Sequence, residues 1–240
     1  MNDIIDKKYQ ILSGSALKTI ALISMLIDHI GLFILNFILA ANRPLFTFFS
    51  NSVSLFDLFR LVGRVAFPLY CFLLVEGYVH TKDKKKYGRD LFLFALISEI
   101  PYNLVFASKL TYQRQNVFLT LFLGFLCMYF YELFNQQKIK QILSIFVLFV
   151  VARFSKIEYG ILGVAFILFL YVVKDKRNAQ YLLGPLFFEN SIKIYFALLP
   201  ILFYNGKRGF IKNKYLKYLY YAFYPLHLLV IYYIKHKMFR

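Results

Sequence analysis

Hydrophobic residues run along this chain in long blocks, separated by short polar gaps rich in lysine. Nine apolar segments can be marked, over residues 16–41, 61–79, 91–107, 116–134, 139–153, 159–173, 179–190, 192–204 and 218–234. At ~1.5 Å of rise per residue, a helix needs roughly 20 apolar residues to cross a hydrocarbon layer of ~30 Å. The first four segments have that reach. Segments 179–190 and 192–204 are short, and Gly184-Pro185 breaks the first of them. Broken half-crossings are tolerated in a membrane only where protein or a water-filled cavity covers their backbone. The pattern therefore predicts an all-α polytopic transmembrane helical bundle of about nine spans, within a range of eight to ten. Short or broken helices fall in its C-terminal half. No internal repeat, low-complexity tract or linker divides the chain, so one integral membrane domain over 1–240 is expected.

Composition agrees. The chain is 60% hydrophobic and 20% aromatic with a mean hydropathy of +0.59, whereas soluble domains are nearer roughly 45–50% apolar. A net charge of +17 raises nucleic-acid binding. A nucleic-acid binder gathers its cations on a face or groove; here they fill the gaps between apolar runs, as in loops beside an anionic membrane surface. With the N-terminus inside and nine crossings, the inner loops collect eighteen of the 29 Lys and Arg, including Lys82, Lys84, Lys85, Lys86, Arg89, Lys207 and Arg208. That excess favours a cytoplasmic N-terminus, although the basic tail Lys235, Lys237 and Arg240 then falls outside. The polar start MNDIIDKKYQ and the length of the first apolar run read as a retained first helix. Cys71 and Cys127 lie inside apolar runs and read as packing residues, not as a disulfide.

Against this background the ionisable intrusions stand out. Asp28 and His29 sit within the first run; Arg64, Glu76, Glu99 and His227 interrupt others. Such groups are costly at bilayer depth, turn toward the protein interior, and mark substrate or proton paths. Neighbours on a helix point about 100° apart, so Asp28 and His29 address different surroundings. Histidine is the natural general base near neutral pH. Asp57, Arg60 and Arg64 share a helical face by spacing, with Pro68 a candidate kink, and Glu76 and His80 share another. A Glu and a His spaced by four would fit two metal ligands, but no HExxH motif, cysteine cluster or further ligand set accompanies them, and no metal is predicted. The lysine-rich turn from Lys82 to Arg89 reads either as a topology anchor or as a cradle for a phosphate-rich cofactor. Glu99, Tyr102 and Asn103 surround Pro101, a second candidate kink; Asn116 and Glu158-Tyr159-Gly160 open later segments as caps or interhelical ties. The string LFYNGKRG, with Asn205 ahead of Gly206 and with Lys207 and Arg208 between the two glycines, resembles an anion-binding turn.

Taken in order, the strings ALKTIALISMLIDHIG, GRVAFPLYCFLLVEGYVHT, KKYGRDLFLFALISEIPYNL, QNVFLTLFLG, EYGILGV, YNGKRG and FYPLHLLV resemble the TraX family, membrane proteins named for an enzyme that acetylates the N-terminus of conjugative pilin. They cover nearly the whole chain and are weakest over 42–58 and 174–192. The resemblance implies a membrane acyltransferase that takes acetyl groups from cytosolic acetyl-CoA, in a bacterial plasma (inner) membrane, with His29 at the position of an early catalytic histidine. The acceptor is an unidentified peptide, amine or sugar; no nucleic acid is implied.

On that reading His29, with Asp28, Arg64 and His227, forms the catalytic group. Glu76, Glu99, Tyr102, Asn116 and Tyr159 line an acceptor or oxyanion pocket. His80, Lys84, Lys85, Lys86, Arg89, Asn205, Lys207 and Arg208 hold the phosphates of acetyl-CoA. A proton-coupled or solute transporter is the alternative, since intramembrane Asp, Glu and His beside broken helices look alike in both. A scaffold for an envelope complex accounts least well for the buried charges.

Overall fold

The computed structural model describes residues 4–38, 42–48, 51–188 and 192–238. About three quarters of these residues are helical. Their order is α1 (Gly14–Phe33), β1 (Pro44–Phe48), β2 (Asn51–Ser54), α2 (Leu55–Gly63), α3 (Ala66–His80), α4 (Lys84–Ala107), α5 (Val117–Leu133), α6 (Lys138–Phe154), α7 (Gly160–Val172), α8 (Arg177–Leu183), α9 (Ile192–Leu202) and α10 (Lys214–Met238). The ends of the apolar runs 16–41 and 179–190, and Arg240 of the basic tail, lie outside the described residues.

The helical architecture stands, with one correction: the bundle is not wholly α, because β1 and β2 pair antiparallel between the first two apolar runs. Helix lengths vary widely among the apolar segments. Among the described residues, three helical stretches are long and apolar enough to cross a membrane, Gly14–Phe37, Leu55–His80 and Lys84–Ala107. Helices α5 and α7 are apolar but shorter, and the 11 residues of α9 rise only ~16 Å.

Local chemistry sets the boundaries. Ser13 accepts from the Ala16 amide at the head of α1, and Ser54 with Asp57 forms a capping box on α2. The second apolar run is interrupted between Gly63 and Ala66. Pro68 has no N–H to offer the Arg64 carbonyl, and Val65 bonds back only three residues, to Val62, at 3.2 Å. The break thus lies ahead of the proline, not at it. Pro101 stays inside a continuous α4.

The contacts divide the chain into two compact units, one of Met1–Ile4 and Cys71–Ser191, the other of Ile5–Tyr70 and Ile192–Arg240. In the first, α5 packs against α4, α6 and α7. Gly124 lets Ile167 of α7 approach and Gly88 of α4 meets Phe125. Leu123, Cys127, Leu148, Ala152, Ile157 and Val164 form a core cluster. Ile139, Ile142, Leu143, Phe146, Val147 and Val150 remain exposed along one side of α6. Their three- and four-residue spacing makes a continuous apolar stripe, as a lipid-facing surface requires.

The polar knot of this unit is Glu132. Its carboxylate accepts from the Tyr78 hydroxyl at 2.6 Å, from Lys84 Nζ at 2.6 Å and from the Tyr171 hydroxyl at 3.3 Å, tying α3, α4, α5 and α7 together. Lys84 also stands 4.5 Å over the Tyr78 ring. Glu132→Ala strands the buried Tyr78 hydroxyl, an expected loss of about 1–3 kcal/mol. Thermal unfolding of the purified protein in detergent measures it, and Tyr78→Phe in the Glu132→Ala background should recover part of the loss.

In the second unit, α1 packs against α2 and α10. Gly31 meets Phe59, and a Cβ at Gly63 would land on the Asp28 carboxyl group. The loop after α9 is sewn to the head of α1. Leu12 N donates to the Phe203 carbonyl, Asn205 N to Leu12, Gly14 N to Lys207 at 2.8 Å and Ser15 N to Arg208 at 2.9 Å. Gly206 and Gly209 take φ of 75° and 84°, a region that other residues enter only with strain. This stitching starts α10 at the same end as α1. The pair is parallel, as Thr19 Oγ1 meets Tyr220 Oη at 2.8 Å and His29 meets His227 further along.

Candidate functional site

His29 and His227 meet inside the second unit, where they are 8% and 5% exposed. His29 Nδ1 lies 2.6 Å from His227 Nε2. The rings are 3° from parallel with centroids 4.9 Å apart. A contact of that length at that centroid spacing places the imidazoles tip to tip in one plane, not face to face. Phe33, Phe223 and Tyr224 surround them.

The chain of partners gives the pair a direction. His227 Nδ1 lies 2.8 Å from the Phe223 carbonyl. A carbonyl can only accept, so Nδ1 carries the proton and Nε2 of neutral His227 is a lone pair. That lone pair takes the Nδ1–H of His29. In the neutral pair the remaining lone pair is therefore on His29 Nε2, the atom able to receive a proton from outside.

Asp28, one residue earlier, turns to α2 and accepts from Arg60 Nη1 at 2.6 Å. The Arg64 charge also reaches Asp28, and the Arg64 side chain is exposed. Spacing alone grouped Asp57, Arg60 and Arg64. The structure separates them, because Asp57 accepts from Ser54 N and Oγ in the capping box, while Arg60 holds the intramembrane acid. Sequence reasoning left Arg60 out of the site. One signal for it was there: Arg60 stands at the mouth of the second apolar run, and an acid inside a neighbouring run needs a basic partner.

The other predicted residues sit as follows. Glu99, Asn116 and Tyr102 gather in the first unit. Asn116 caps α5 by accepting from Phe118 N at 3.0 Å, and its amide donates to the Ala95 carbonyl at 2.8 Å and to Glu99 at 2.5 Å. Its two N–H groups are thus already committed. Tyr102 is buried against Phe106 and Tyr112, and Tyr159 is an exposed left-handed cap on α7. At the other end of α4, Lys84 is held by Glu132, Lys85 and Lys86 are exposed, and Arg89 lies 3.4 Å from Asp90. Lys84 and Glu99 are ~22 Å apart along that helix. Glu76 and His80 approach to 4.0 Å, with no metal-ligand group of three or more His, Cys, Asp or Glu among the described residues.

Lys84, Lys85, Gly88 and Arg89 line an open groove of about 340 Å³ with Phe92, Phe122, Phe125, Leu126 and Tyr129. The Asn205–Arg208 turn is joined to the head of α1. Its carbonyls at Lys207 and Arg208 occupy the first amides of α1, Asn205 Oδ1 accepts from Lys207 N, and Asn205 Nδ2 donates to Ile11.

A helical membrane protein with an imidazole pair enclosed between two parallel helices is the class these features define. The chain belongs to the TraX family, whose model, described as TraX protein, matches residues 13–235. It is 28% identical to a probable fimbrial assembly protein FimC, serogroup H1, of Dichelobacter nodosus, over 91% of this chain and 94% of that one. It is 25% identical to the uncharacterized protein RP591 of Rickettsia prowazekii (strain Madrid E), over 68% of this chain and 56% of the other. No solved structure matches it.

The tautomer assignment is open to direct observation. Nitrogen-15 histidine NMR at a pH where both rings are neutral should show His29 and His227 each protonated at Nδ1. In His227→Ala, His29 should lose that preference. Separately, Gly63→Ala is expected to displace Asp28 and lower the melting temperature by several degrees.

Proposed function

We propose that this protein is a membrane-embedded acetyltransferase that moves an acetyl group from acetyl-CoA to the amine or hydroxyl of a peptide N-terminus, small amine or sugar. The observation that carries this reading is the His29–His227 pair, whose hydrogen-bond direction leaves Nε2 of His29 as a buried base. The acceptor's N or O attacks the thioester carbonyl and its proton passes to His29 Nε2. The C–S bond then breaks, and the sulfur leaves with that proton as the free thiol. While His29 is cationic, its Nδ1–H donates to His227, which is held in turn by the Phe223 carbonyl. Asp28 and Arg60 fix the helix that carries His29, and Arg64 is the proposed stabiliser of the developing oxyanion. Membership of the TraX family supports acetyl transfer. The fimbrial relative's name favours an exported peptide among the acceptors. On the topology argument the N-terminus is cytoplasmic and the donor is cytosolic.

His29→Ala is expected to reduce acetyl transfer at least about a hundredfold while insertion and helical circular dichroism stay as in the wild type. Labelled acetyl-CoA and free-thiol release, measured on purified protein with peptide and amine acceptors, make the comparison. Wild-type turnover in this variant removes His29 from the mechanism. Solute uptake into proteoliposomes without thiol release would favour a transporter instead.

A further inference from the structure

The second unit is strongly unbalanced in charge. Its acids are Asp6, Asp28 and Asp57, set against fifteen Lys and Arg. Each acid is engaged: Asp6 with Lys8, Asp28 with Arg60, and Asp57 in the cap of α2. At the shared starting end of α1 and α10 the fold nevertheless collects cations. Lys18, half-buried in the second turn of α1, stands between Ser15, whose N and Oγ meet the Arg208 carbonyl, and Thr19, whose hydroxyl meets that of Tyr220 three residues beyond Lys217. Arg208 is brought there by the carbonyl that accepts from Ser15 N and Ser15 Oγ. Lys217 comes from the first turn of α10, beside the Tyr218 and Tyr221 rings. No carboxylate among the described residues pairs with Lys18 or Arg208. Three like charges drawn from three segments beside an apolar helix repel one another, and a polyanion placed among them reverses the sign of that interaction.

Position along the helix adds the second argument. Lys18 and His29 are eleven residues apart, close to three full turns, so they share one face of α1 at a separation of ~16 Å. Between them the same seam carries the Thr19–Tyr220 contact. An acyl donor with its phosphates at one end and its thioester at the end of a thin arm has this layout.

We propose that Lys18, Arg208 and Lys217 form the anchor for the phosphate end of the acyl donor, with its arm running along the α1–α10 seam to His29. This rests on the acetyltransferase reading. It also drops the Lys82–Arg89 turn from the phosphate site, keeps Arg208, and adds Lys18 and Lys217, which the sequence reading had not placed there.

Equilibrium binding of labelled acetyl-CoA to the full chain in phosphatidylcholine nanodiscs tests it. Lys18→Gln and Lys217→Gln should each weaken binding about tenfold and the pair more than fiftyfold, given charge-assisted contacts to phosphate. Lys18→Arg should bind nearly as well as the wild type. The double variant Lys85→Gln, Lys86→Gln, at two exposed lysines, should stay within about twofold. Acetyl-pantetheine, which lacks the nucleotide phosphates, should bind the wild type and the Lys18 and Lys217 variants alike. Tight acetyl-CoA binding that the Lys18 and Lys217 substitutions leave unchanged overturns the anchor and leaves the acetyltransferase reading standing. No acetyl-CoA binding by the wild type overturns both. Should the substitutions alter only the retention of phosphatidylglycerol, the cluster serves lipid headgroups and the assignment falls.

Discussion

A polar side chain in an apolar helix has no water to turn to, and its partner must come from another part of the protein. This constraint organises both units. Asp28 draws Arg60 and so joins α1 to α2. His29 draws His227 and joins α1 to α10. Glu99 and the Ala95 carbonyl take both N–H groups of Asn116, tying α4 to the cap of α5, and Glu132 gathers two tyrosines and a lysine from three other helices. In a lipid surrounding, apolar packing distinguishes poorly between one helix pairing and another. Hydrogen bonds of this kind are the interactions able to select the pairing.

The histidine pair shows how such a tie acquires chemical meaning. Two neutral imidazoles sharing one proton have two possible directions. The Phe223 carbonyl, which can only accept, selects one of them. The lone pair is thereby exported to the far nitrogen of His29. Backbone chemistry one turn away on α10 thus decides which atom of α1 is basic. The parallel arrangement of α1 and α10 is what permits this, and it depends in turn on the glycine-bearing loop whose carbonyls meet the first amides of α1.

Residues near helix ends illustrate a different economy. The YNGKRG turn carries the glycines and cations of an anion loop, yet its backbone serves as the complement of a helix N-terminus. Asn116, a plausible donor to substrate by composition, spends its amide on a cap and a neighbour. In both cases the nearest backbone group takes the hydrogen bond, because it is already in place and loses little entropy in making it.

The amino-acid sequence alone determined that this is a helical membrane protein of the TraX type, where its apolar runs lie, and that Asp28, His29 and His227 are polar groups inside apolar runs, in need of partners. Those properties are local: period, length, and the cost of a charge in hydrocarbon can all be read from consecutive residues. The chain's tertiary structure decided the rest. It split the second apolar run ahead of Pro68, paired residues 44–48 with 51–54, made the helices of several apolar runs short, gave Asp28 to Arg60 and His29 to His227, and took Asn116 and the YNGKRG turn into structural service. Each of these depends on which distant segment arrives beside a given residue, 32 positions away for Arg60 and 198 for His227, and hydrophobic periodicity carries no record of that partner.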